Sequence, residues 1–180
     1  FGVLSAMDIQ DRAQKEMERL RDGPNSYITV AIGEQHQLDV VYLATCNSHE
    51  GVSLAIRVGT RLPIFHSAIG QAILIGMEEE AREGVFEIAG RKGADVEAEG
   101  RAQFAEANAI YEDKGFCVGY GSWRSDVNGV AVPVFSLNRS RVYGLNVGGP
   151  SFRVKRKQLE AVYGPRLIET AAALSIKPTL

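Results

Sequence analysis

Apolar and polar positions alternate with two different periods along this 180-residue chain. From Ala6 to Arg21 the apolar residues Met7, Ile9, Ala13, Met17 and Leu20 recur at helical spacing among charged neighbours, and Asp22-Gly23-Pro24 stops the run. Strand-length runs follow at Ser26 to Ile32 and Leu38 to Thr45, a hairpin-like pair, with a third candidate strand at Val52 to Val58. Helical spacing returns at Ser67 to Met77, with Ser67 placed as its cap. Gly84 to Gly100 reads as polar and irregular, and Arg101 to Lys114 as a helix ended by Gly115. Two glycine-punctuated apolar runs then fill Gly115 to Pro150, joined by a polar turn at Ser136 to Ser140. The last helical segments, Arg153 to Tyr163 and Pro165 to Leu174, are expected to break at Gly164-Pro165. Short turns between strands imply antiparallel pairing, so the pattern predicts an α+β fold, a sheet covered by helices, without βαβ alternation.

The second glycine-rich run carries the most information. On a strand, Tyr143, Leu145 and Val147 fall on one face and Gly144, Asn146 and Gly148 on the other. A strand gives up side chains at alternate positions where another backbone or a ligand comes close. Asn146 sits among these bare positions, and a buried amide there needs hydrogen-bond partners that a ligand can supply. Tyr120 and Trp123 flank the glycines of the GYGSW segment, where packing and pocket lining are equally good explanations. The pattern is that of a small-molecule receptor.

Composition narrows the classes. With 45% hydrophobic residues the chain suffices for one ordinary domain, and a net charge of -2 offers no electrostatic footprint for a polyanion such as DNA. No stretch approaches a membrane span and no signal peptide is evident, so a cytoplasmic protein is expected. Cys46 and Cys117 fit buried thiols in a reducing compartment. His36, His49 and His66 show no metal-ligand spacing, so no metal and no cofactor are expected. The GYGSW segment lacks the spacing of a nucleophile elbow around Ser122. The basic run Arg153, Lys155, Arg156, Lys157 reads as a solvated first turn of a helix, and GMEEE at Gly76 to Glu80 as an exposed acidic turn.

The segments GTRLPIFHSAIGQAIL (59–74), Gly115-Phe116 with VAVPVF (130–135), and YGLNVGGPSFR (143–153) appear in that order. Together they resemble the effector-binding domain of IclR-type bacterial transcription regulators, across essentially the whole chain. The resemblance implies a GAF-like curved antiparallel sheet with a pocket for small organic metabolites, an organic or aromatic acid among them. It also implies homodimers or tetramers, and DNA contact only through an N-terminal winged helix-turn-helix domain. The chain begins at Phe1 without methionine, so that domain is expected to precede it. Residues 1–22 would then form a leading helix after it, and 23–180 the effector-binding domain.

By the same resemblance, Ala68, Ile69 and Gly70 would present helix N-terminal amides to an anionic ligand, with Gln71 in place of the commoner lysine. Gly119, Gly129, Asn146 and Gly148 align with positions that carry an acid, a cysteine and hydroxyls in members binding small oxo-acids. Three glycines there favour a larger ligand. The expected ligand-binding set is Ala68, Ile69, Gly70, Gly119, Tyr120, Trp123, Gly129, Asn146 and Gly148, with no catalytic residue. A stand-alone GAF-like sensor or interaction module is the alternative, followed by a small enzyme using Ser122 or Cys117.

Overall fold

In a computed structural model that describes residues 2–50 and 56–175, the leading periodicity folds as helix α1, Gly2–Arg21. Strands β1, Thr29–His36, and β2, Asp39–Cys46, form the expected hairpin, β1 displaced a few residues and β2 one residue from the sequence-based bounds. Positive φ at Gln37 makes the turn between them. The third strand candidate falls largely outside the described residues; its described part, 56–58, is not a strand, and β3 is instead Arg61–Pro63. Helix α2, Ala68–Gly76, starts as predicted, with the Gly70 amide donating to Ser67 Oγ at 3.1 Å. Its last carbonyls are met by Arg82, which donates to Leu74 O at 3.0 Å and Met77 O at 3.3 Å.

The segment 84–100 corrects the sequence reading, because it is helical. Helix α3, Glu79–Lys92, and helix α4, Ala94–Lys114, divide at Gly93. Glycines 84, 90 and 100 look like breakers, yet tertiary contact outweighs propensity here. Val85, Phe86 and Ala89 form a buried stripe on α3, and Phe86 meets Phe104 of α4 edge-on at 6.0 Å. Gly100 is where α4 passes Phe65: a Cβ there would lie 2.7 Å from its ring. Glu79 and Glu80 occupy the first turn of α3, where carboxylates complement the helix dipole. Helix α4 ends at Gly115 in the left-handed region, φ 84°, as expected.

Strands β4, Cys117–Tyr120, β5, Val127–Phe135, and β6, Val142–Pro150, complete one curled, fully antiparallel sheet in the order β3-β2-β1-β6-β5-β4. After it come a helical turn α5, Arg156–Gln158, a π-helical turn at Leu159–Tyr163, and α6, Gly164–Leu174. The break expected at Gly164-Pro165 is therefore absorbed as a π-turn: the Gly164 amide bonds back to Leu159 O, and the chain continues helical through a proline that has no amide to give. Each face of the sheet carries a core. Ile9, Met17, Leu145, Val147, Tyr163 and Leu167 join α1 and α6 to one face; Ala31, Tyr42, Ile69, Ile73, Phe86 and Ala131 join α2 and α3 to the other.

Candidate ligand-binding site

Strand register decides what the glycines do. Gly119 pairs with Gly129, Gly129 with Gly148, and Gly148 with Thr29, so three adjacent strands contribute consecutive residues without side chains. The strip runs about 10 Å across the sheet at ordinary strand spacing. Two residues along, Cys117, Ala131, Asn146 and Ala31 form the next row. Further along, the fully buried Ile69 side chain packs against Gly144 and Gly33, bringing α2 down onto the sheet. Alternate bare positions on β6 thus serve two ends: Gly144 admits the helix, and Gly148 lies where the helix does not reach.

Over that second end is a cavity of about 30 Å³, lined by Tyr42, Trp123, Gly129, Asn146, Gly148 and Thr29 among others. This is room for about one water. A Cβ added at Gly129 would approach only backbone, Val147 O at 3.2 Å and Gly148 Cα at 3.7 Å. The half-buried Trp123 belongs to the turn at 121–126, whose own bonds, Gly121 N to Val127 O at 2.9 Å and Val127 N to Arg124 O at 3.0 Å, hold it together as a unit.

The cavity's polar groups are neutral. Asn146 Nδ2 donates to the Tyr42 hydroxyl at 3.0 Å. Burial raises the Tyr42 pKa well above the ordinary phenol value, so the group stays protonated, and with its oxygen accepting from Asn146 its own proton is available to another acceptor. Thr29 Oγ1 accepts from the Ser48 amide at 3.1 Å, and Asn128 Nδ2 donates to Val154 O at 3.0 Å. Among the described residues no charged side chain lines the cavity.

Of the nine residues expected from the sequence, Trp123, Gly129, Asn146 and Gly148 line this cavity. Gly119 and Ala68 adjoin it at the β4 end of the strip: a Cβ on Gly119 would lie 3.1 Å from the Ala68 amide nitrogen and 3.0 Å from Ser122 Oγ. The other three are placed differently. Ile69 spends its side chain in the core, and Gly70 is pressed against the Ile64 carbonyl. Tyr120 alternates to the opposite sheet face, where it packs on the α1–α6 core with the Arg156 guanidinium 4.9 Å from its ring centroid. Sequence reasoning missed Tyr42, Thr29, Asn128 and Ile56. Tyr42 had a usable signal, a phenol on the inward phase of an apolar strand.

The Ala68 and Ile69 amides are the first of α2 and have no acceptor among the described residues, because Ser67 serves Gly70 and Gln71. Cys117 is fully buried in β4 and burial pushes its thiol up to about 12, which holds it protonated and poorly nucleophilic. Ser122 is exposed in the turn.

The family model described as bacterial transcriptional regulator IclR C-terminal matches residues 1–176. The chain belongs to this family. Among curated relatives, the HTH-type transcriptional regulator TsaQ1/TsaQ2 of Comamonas testosteroni is 28% identical over 168 residues, covering 92% of this chain and 60% of that protein. The IclR domain described here thus spans about 60% of the length of such a regulator. An IclR family transcriptional regulator from Brucella abortus has the same fold at TM-score 0.82 and 32% identity, covering 97% of this chain and 68% of that one. The inducer-binding domain of the PobR transcription factor from Acinetobacter, a double mutant in complex with 3-hydroxybenzoic acid, matches at TM-score 0.72 and 21% identity over 92% of this chain and 97% of that one. At that identity the likeness concerns the fold.

Proposed function

We propose that this IclR domain senses a small planar organic molecule that lies on the Gly129–Gly148 strip beneath Trp123. The observation carrying this reading is the registered strip itself, a side-chain-free surface bounded by an aromatic ring and closed at its far end by an amide and a protonated phenol. The part of the ligand inserted here is uncharged, because burying a charge without a partner is costly. An acid group, for the organic and aromatic acids expected from the sequence, faces the other end of the strip, where the Ala68 and Ile69 amides supply donors and the partial positive charge of a helix N-terminus.

Admitting a ring requires more than 30 Å³, and outward movement of the 121–126 turn provides it. Such movement is the differential contact through which a ligand shifts an equilibrium between two domain states. In the whole regulator, homodimeric or tetrameric and cytoplasmic, that shift alters the spacing of DNA-binding domains on an operator, and the domain itself catalyses nothing. A thermal-shift screen of small organic acids and their amides tests the reading: a ligand of the native state raises the melting temperature with concentration. Failure of every planar acid and amide, against a response to acyclic metabolites alone, would contradict it.

A further inference from the structure

Strands β1 and β2 do not pair in one unbroken ladder. Ile32 stands opposite Ala44 and Gly33 opposite Tyr42, so Leu43 is an extra residue with no partner on β1, a β-bulge. Its effect on the site follows from strand phase. Residues opposite each other share a face, and Gly33 faces α2, where a Cβ would lie 3.2 Å from Ile69. Had the ladder continued unbroken from Ile32 and Ala44, Leu43 would stand opposite Gly33, and Tyr42 opposite Glu34 on the far face of the sheet with Val30 and Ile32. The bulge exchanges them. Tyr42 joins the α2 side of the core and meets Asn146 at 3.0 Å, while Leu43 and Ala44 both pack against the α1–α6 core.

Helix α1 holds the extra residue. Gln10 Nε2 donates to Leu43 O at 3.0 Å, a bond from the helix to the bulged carbonyl itself. Arg12, its side chain 11% exposed, seats the same turn of α1 by donating to Phe135 O at 2.9 Å and to Leu174 O. A bulge occupies one residue or the next and nothing between, so its position has discrete alternatives, and contacts from α1 bias which is taken. We infer that Gln10 is a positioning residue for the candidate site: it holds the bulge at Leu43 and thereby Tyr42 beside Asn146, so the seating of α1 and the Tyr42–Asn146 pair form one coupled element. By linkage, a ligand that accepts the Tyr42 proton favours the seated α1, and a displaced α1 lowers affinity for that ligand. That consequence rests on the ligand reading above; the coupling is tested without ligand, so the two fail separately.

The test records 1H–15N spectra of the isotopically labelled, ligand-free chain. Tyr42→Phe gives the position of the Asn146 side-chain amide signals once their acceptor is gone. Gln10→Met keeps the length of the side chain and removes the donor, and it moves the Asn146 signals toward that position although Gln10 and Asn146 lie on opposite faces of the sheet. Gln14→Met, one turn along α1, where Nε2 bonds Cys46 Sγ at 3.8 Å and Glu18 at 3.0 Å, leaves them in place. In denaturant unfolding the double-mutant cycle is non-additive: the factor by which Tyr42→Phe lowers the folding constant is about three times smaller in the Gln10→Met background than in the parent. Should Gln10→Met unfold, Tyr42→Phe read at the Gln10 side-chain amide decides, a shift there supporting the coupling and its absence overturning it. Unmoved Asn146 signals in folded Gln10→Met, an equal shift in Gln14→Met, or an additive cycle would each overturn the inference.

Discussion

Asn146 on β6 and Tyr42 on β2 meet across the intervening strand β1, amide nitrogen to phenol oxygen at 3.0 Å. They reach each other because β1 offers only Ala31 opposite Asn146 and Gly33 opposite Tyr42, so nothing tall stands between them. The pair both closes one end of the candidate site and ties two non-adjacent strands. Tyr42→Phe keeps the ring in the core and leaves the Asn146 amide without its acceptor. A stability loss of about 1 kcal/mol is expected in thermal or denaturant unfolding, with a roughly tenfold loss of ligand affinity. An unchanged affinity per folded molecule would assign the pair to the fold alone.

Glycines of the same strand pattern differ in what a methyl group meets. At Gly144 it would run into Ile69 and its helix, so Gly144→Ala is expected to cost about 1–3 kcal/mol by overpacking. At Gly129 it meets only backbone at ordinary to close contact, so Gly129→Ala should melt within a few degrees of the parent. Paired denaturation curves of the two variants check the contrast.

Cys117 gives the domain an alkaline limit. Its thiol ordinarily titrates near 9 and burial raises it to about 12 in the folded chain. Above the unfolded value the unfolded state releases a proton that the folded state retains, so stability is fully present below pH 9 and falls as pH rises toward 12. The slope from this group is about 1.4 kcal/mol per pH unit within that window. Cys117→Ala, although less stable at neutral pH through the lost packing, should lose stability less steeply between pH 9 and 11; parallel slopes would show that other groups set the limit.

How much of this was legible in the sequence depends on which physical effect dominated locally. The caps at Ser67 and Gly115, the α1 stripe and the two faces of β6 follow from local rules and were readable. Helix α3 was not, because its glycines argue against a helix that only packing against Phe65 and Phe104 justifies. The site was half legible: alternation exposed Gly144, Asn146 and Gly148 as one face, but only the cross-strand register aligns Gly119, Gly129 and Gly148 and delivers Tyr42 from a distant strand. Tyr120 was misplaced by one residue of phase, since the two neighbours of a bare position point away from it.

The central claim is that a planar ligand rests on the Gly129–Gly148 strip under Trp123, and Trp123 is the only tryptophan in the chain. Its fluorescence therefore reports on the site without labelling. The direct measurement titrates the strongest planar hit of the thermal-shift screen into the parent chain and into Gly129→Leu, whose side chain occupies the space above the strip. A saturable change in Trp123 emission in the parent, with affinity reduced about a hundredfold or more in a folded Gly129→Leu, is the predicted result. Equal dissociation constants for the two proteins would contradict it.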